Sequence, residues 1–246
     1  MPRYVSVTPT LRLGRIFGIE VGFNWSLVFV FVLIAWSLAS SLPSQVPGRS
    51  DSAYWFAGLS AAVLFYACLL AHELAHSLVA RSFGLRVSGI TLWLFGGVSQ
   101  LEDDPQHARS QALISIVGPL TSLAIAAIAY ALAAVTSAGG ALHLTTAVLG
   151  WLAYINLVLG LFNLIPAFPL DGGRLLGSLL WWRSGDHRVG VHQAVLVGRF
   201  FAYAMIVLGF VELLAGSAFN GIWIAFMGWF LLSAASAEDR SVQAQG

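Results

Sequence analysis

Charge is what this sequence most lacks. Only 9% of its 246 residues are Asp, Glu, Lys or Arg, against about 25% in an ordinary soluble domain. A water-soluble globule of this length could not cover its surface with so few charges. That excludes an ordinary aqueous enzyme, a disordered chain and a nucleic-acid binder with a basic face. Lysine is absent, the twelve basic residues all being Arg, and the formal net charge of +1 points to no partner. A single cysteine, Cys68, excludes a disulfide framework and any cysteine-based zinc site. No repeat, low-complexity tract or linker divides the chain, which reads as one domain over 1–246.

What fills the chain instead is apolar: 58% of residues are hydrophobic and the mean hydropathy is +0.82. No charged residue lies between Glu20 and Arg49, or between Arg109 and Asp171. Runs of that kind are transmembrane material, since about 20 apolar residues cross the hydrocarbon. Six spans are expected, at about 23–42, 53–80, 111–136, 144–165, 193–215 and 219–235. Each is a helix, because backbone in lipid must satisfy its own hydrogen bonds. The first is too long in its apolar run, and too poor in cleavage-site residues, to be a removable signal peptide. Two segments, about 10–22 and 85–101, are strand-like instead, with β-branched residues set among glycines. The fold class expected is an all-α polytopic membrane protein of six transmembrane helices with a small membrane-associated β hairpin or re-entrant segment.

Arginine placement orients the spans. With the N-terminus in the cytoplasm, ten Arg fall on cytoplasmic segments and only Arg49 lies outside. Both termini are then cytoplasmic. Arg199 and Glu212 fall inside the fifth span, about 140° apart around a helix, and are expected to snorkel toward opposite interfaces.

The second span contains AHELAHS. His72 and His76 are four residues apart and share one helix face, so both imidazoles reach one metal ion, with Glu73 beside them to handle the proton of a water. Ionisable groups within a span are costly and mark function; a metal is the simplest compensation for three of them so close together. His76 precedes Arg81 by about 7–8 Å along a helix, and His72 by about 13 Å, which sinks the site below the cytoplasmic surface but not to the bilayer centre. A catalytic zinc takes three protein ligands and keeps one position open. Among candidates for the third, His107, His187 and His192 lie in hydrophilic loops and His143 on the opposite side. Asp171 ends the long charge-free run at the cytoplasmic end of the fourth span, at similar depth to His76. Its competing reading is the N-cap of a following helix over 172–182. Asn156, on the same face as Asn163, reads best as helix–helix glue.

HELAH in a membrane helix, followed in a later one by N-x-x-P-x-x-x-x-D-G (Asn163, Pro166, Asp171, Gly172), resembles the site-2 protease family of intramembrane zinc metalloproteases. FGGVSQ at 95–100 and IVGPL at 116–120 extend the likeness over most of the chain, and the six-span layout resembles the subgroup related to sporulation-factor proteases. The resemblance implies a zinc metalloendopeptidase with one Zn2+ ion. His72, His76 and Asp171 match its metal ligands and Glu73 its catalytic glutamate. Asn163 matches the asparagine of its aspartate motif, suited to an oxyanion donor, and Gly96–Gly97 match its glycine pair, suited to substrate contact. It also implies single-span membrane protein substrates, such as anti-sigma factors or membrane-tethered regulators, a bacterial cytoplasmic membrane, a role for a regulatory partner, and no nucleic acid. Many six-span members continue into CBS modules; neither these nor a PDZ-like insertion is read here, so nucleotide sensing and PDZ gating are not expected. Two other readings of the same residues stand beside this one: a metal-dependent transporter or channel using the HExxH face as an ion site, and a non-catalytic scaffold for transmembrane helices.

Overall fold

The charge-free stretches become long helices in the computed structural model, which describes residues 9–94, 96–101, 104–137 and 143–243. Among the described residues six helices are long and apolar enough to cross a membrane, and in none is more than 39% of its most apolar stretch buried. Large side chains such as Trp182, Leu214 and Phe219 stay exposed. Helices so apolar with so little of their surface covered have lipid as their solvent, so the chain is a multi-pass membrane protein. The described residues of Arg3–Asp104 and Val117–Leu161 form one compact unit, and those of Pro105–Ile116 and Phe162–Gly246 a second.

In the first unit, strands β1 (Leu11–Ile16) and β2 (Ile19–Phe23) precede helices α1 (Ser26–Gln45) and α2 (Asp51–Ser82), and strands β3 (Val87–Trp93) and β4 (Gly96–Leu101) follow them. Ser50 caps α2, accepting from the Ala53 amide, which satisfies one donor that the first turn leaves open. At 32 residues, α2 is about 48 Å long. It is therefore longer than a hydrocarbon core of about 30 Å requires.

The two strand-like segments do not fold as separate pieces. They make one four-stranded sheet in the order β1-β2-β3-β4. β1–β2 and β3–β4 are antiparallel hairpins, and β2 runs parallel to β3 with Val21 opposite Ile90. A parallel pair needs a crossover, and α1 and α2 supply it. Ile19, Ile90 and Leu92 cluster with Leu69 of α2, so apolar packing fixes one face of the sheet on the helix that carries HELAH. The unit also holds most of α3 (Ala108–Ser137) and α4 (Leu144–Asn163). Asn156 is fully buried there. Its amide donates to the Leu152 carbonyl within its own helix at 2.9 Å, and its side chain also hydrogen-bonds Cys68 of α2.

In the second unit α5 (Asp171–Ser184), α6 (His187–Leu214) and α7 (Ala218–Gln243) follow one another. Asp186 caps α6, accepting from the amides of Arg188 and Val189. Phe168, in the loop before α5, is buried among Val191, Ala194, Val195, Ala235 and Val242. The Arg199 side chain ends against a carboxylate near the end of the last helix. Its guanidinium donates to Asp239 Oδ2 at 3.3 Å, and His192 Nδ1 lies 3.1 Å from the other oxygen. The partner became available because α7 runs on to Gln243, past the end expected near 235, and brings Asp239 against α6.

Candidate metal centre

His72 and His76 lie one turn apart on α2 and are buried at 3% and 9% exposure. Their Nε2 atoms are 3.1 Å apart and the rings meet edge-on. Two nitrogens each about 2.0–2.1 Å from one tetrahedral ion stand about 3.3 Å apart. The pair is therefore already set at nearly the separation that a shared zinc requires. The space in front of it is kept open by Gly118 of α3, where a Cβ would overlap His76 Nε2 and crowd His72 Nε2. On the far side of its ring, His72 Nδ1 lies 2.9 Å from Ser122 Oγ, a hydroxyl with 0% exposure. Buried donors that converge from one helix, with a small-residue opening ahead of them, fit a zinc ion.

Glu73 turns to the sheet. The Ser99 hydroxyl of β4 donates to its Oε2 at 3.1 Å, and Ser77 Oγ lies 3.1 Å from Ser99 Oγ. Gly97 packs directly on the Glu73 side chain, where any Cβ would overlap it. Its neighbour Gly96 has φ +130°, a conformation that glycine adopts without strain. Both expected glycines thus sit at the start of β4, one shaping the turn and the other admitting the glutamate. Phe95 of the same motif lies outside the described residues.

Asp171 is the first residue of α5 and half-buried. The N-cap position belongs to Leu170, which makes no side-chain cap bond. The capping alternative therefore does not describe Asp171, whose carboxylate follows the cap. The helix can begin so abruptly because Gly172 and Gly173 press on the backbone of 164–168, where side chains would collide. Asn163 is the last residue of α4 and half-buried. The other histidines are placed elsewhere. His187 stacks edge-on against Trp181, His192 faces Asp239, and His107 and His143 are exposed beside their helices.

Sequence reasoning assigned no role to Ser77, Ser99, Ser122 or Gly118. Gly118 lay inside the IVGPL motif, and that was its one signal. Ser77 and Ser99 likewise lay inside AHELAHS and FGGVSQ, while Ser122 carried no signal, since which helix face meets which neighbour is settled by packing.

The family model described as "Peptidase family M50" matches residues 60–144 and 139–209, a stretch that takes in HELAH, the glycine pair, the third span and the aspartate motif. The chain belongs to peptidase family M50. This member is 44% identical over 236 residues to Rip3 of Mycobacterium tuberculosis, the match covering 96% of the chain and 60% of that protein. It is 29% identical over 243 residues to the zinc metalloprotease MJ0392 of Methanocaldococcus jannaschii, covering 96% of the chain and 62% of that protein. The chain thus spans about 60% of the length of the curated relatives it matches. Among solved structures, the site-2 protease from Methanocaldococcus jannaschii superposes with a TM-score of 0.60 at 26% identity, covering 93% of this chain and 94% of that one.

Proposed function

We propose that this M50 member is an intramembrane zinc endopeptidase that hydrolyses peptide bonds within or near the transmembrane helix of a membrane-anchored protein. The observation that carries the reading is the buried His72–His76 pair, its Nε2 atoms 3.1 Å apart, with the Glu73 carboxylate beside it on a helix apolar enough to span a membrane. The names of the two Methanocaldococcus relatives, a zinc metalloprotease and a site-2 protease, support it. One Zn2+ would be held by His72 and His76, with Asp171 as the proposed third ligand from its place in the aspartate motif that the family match takes in.

Bound there, zinc would supply Lewis acidity and a water acidified toward neutral pH. Glu73 would take the proton on the oxygen that Ser99 leaves free, and return it to the leaving amine nitrogen. Asn163 would donate its amide to the oxygen that gains charge during attack. A substrate helix hides its peptide bonds in its own hydrogen bonds and must be held extended before attack. β4 is one of the two edge strands of the sheet, and Gly96–Gly97 put no side chain at its start, which suits strand addition by an unwound segment. The substrates proposed are single-span proteins, such as an anti-sigma factor or a membrane-tethered regulator, with a regulatory partner acting on the protease. The proposed location is a bacterial cytoplasmic membrane, with both termini cytoplasmic and the site nearer that side.

The test uses the purified chain in detergent, with zinc quantified and a transmembrane peptide as substrate. Cleavage is expected to stop on chelation and return with zinc. Glu73→Gln should abolish cleavage while keeping the metal. Residual cleavage by that variant would overturn the mechanism. Asp171→Ala should lower the zinc content severalfold, and undiminished zinc would remove Asp171 from the ligand set.

A further inference from the structure

The hydrogen bonds around Glu73 have a direction, and that direction gives two serines a purpose. An ionised carboxylate only accepts, so the Ser99 hydroxyl donates its one hydrogen to Glu73 Oε2. In the 3.1 Å contact between Ser77 Oγ and Ser99 Oγ, the donor must then be Ser77. The result is a one-way chain from Ser77 on α2, through Ser99 on β4, back to Glu73 on α2.

Ser77 has an easier alternative. A helical serine commonly donates to a carbonyl three or four residues back, as Ser82 does to Val79, Ser178 to Leu175, Ser233 to Trp229 and Ser236 to Leu232 in this chain. Ser77 is fully buried and directs its hydroxyl across to the strand instead. Each donor in such a chain polarises the next, so Ser77 strengthens the bond that Ser99 makes. Gly97, two residues before Ser99, lies flat on the same glutamate side chain. β4 therefore touches Glu73 twice, once by contact and once by hydrogen bond.

We infer that Ser99 is a positioning residue for the general base and that Ser77 acts through it, the pair holding Glu73 Oε2 so that the other oxygen faces the reacting water. The terminal torsion of a glutamate is broad and roughly two-fold. Without the tether the carboxylate rotates, and its basic oxygen is aligned for only part of the time. The chain of hydroxyls also makes the alignment of Glu73 depend on the position of β4, the strand to which an extended substrate would add. This inference rests on the zinc-peptidase reading above.

The experiment compares wild type, Ser99→Ala, Ser99→Thr, Ser77→Ala and the double alanine variant, as purified full chains cleaving a transmembrane peptide. Ser99→Ala should lower kcat about tenfold, with KM, zinc content and melting temperature unchanged. Ser99→Thr, which keeps the hydroxyl, should recover most of the rate. Ser77→Ala should cost about threefold, and the double variant should fall no further than Ser99→Ala alone. A wild-type kcat in Ser99→Ala, or losses from the two serines that multiply, would overturn the inference. So would a loss in Ser99→Ala that Ser99→Thr does not rescue. Inactive wild-type protein would instead count against the peptidase reading. Isotope-edited infrared spectroscopy then still decides the positioning, because the Glu73 carboxylate stretch, identified by its loss in Glu73→Gln, should shift in Ser99→Ala. An unmoved band would also overturn the inference.

Discussion

A histidine binds a metal through one ring nitrogen only if its proton sits on the other. With both Nε2 atoms of the HELAH pair facing the same opening, His72 must carry its proton on Nδ1, and Ser122 Oγ, 2.9 Å away, is where that proton points. Ordered groups behind a metal-bound histidine fix its tautomer and its ring angle, and removing them typically costs about 10–100-fold in metal affinity. Ser122→Ala is accordingly expected to weaken zinc binding by about that factor while Ser122→Thr retains it, as measured by competition with a chelator of known affinity. Equal affinities would mean that α2 alone orients the ring. The two histidines themselves were legible because four residues make one helical turn, so their meeting is a local matter. Asp171 was legible for a different reason, as the first charge after a long run without any. Ser122 was not, because its partner lies fifty residues away, on a helix whose rotation against α2 is set by the side chains packed between them.

At the scale of elements, the sheet shows what local sequence carries and what it does not. Both strand-like segments could be found from their glycines and β-branched residues. That they join through a parallel β2–β3 pair could not, since the two strands are separated by two membrane helices and no local pattern encodes such a pairing. The joining matters for function, because it leaves β4 at the outer edge with Glu73 against its start. If an extended substrate adds to that edge, proline substitutions along 97–100, which remove strand amides, should reduce cleavage of a helical transmembrane substrate more than cleavage of an already extended peptide. Comparing kcat/KM for the two substrates across the scan measures this. Equal losses would show that the prolines damage the site itself, as the closeness of Gly97 to Glu73 permits, and strand addition would be withdrawn.

For the molecule as a whole, the scarcity of charge that first indicated a membrane also makes the few charges informative. Ten of the twelve Arg fall on one set of alternating connections, and the bias of Arg toward the cytoplasm turns that count into an orientation. The helices that the structure shows keep the number and order of the spans on which the count rests; the side of each connection is decided by charge alone and can be tested chemically. Cys68 is buried, so replacing it with Ala leaves a chain without a thiol, into which single reporters can be placed. Pro47→Cys lies between α1 and α2, and Ser184→Cys at the end of α5; both positions are exposed. A membrane-impermeant maleimide should label Ser184→Cys only in inside-out vesicles and Pro47→Cys only in right-side-out ones. The opposite pattern would place Arg81, and with it the HELAH end of α2, on the outer face. Products would then be released away from the cytoplasm, and a membrane-tethered regulator could no longer be the substrate, because such a regulator acts only if cleavage frees it inside the cell.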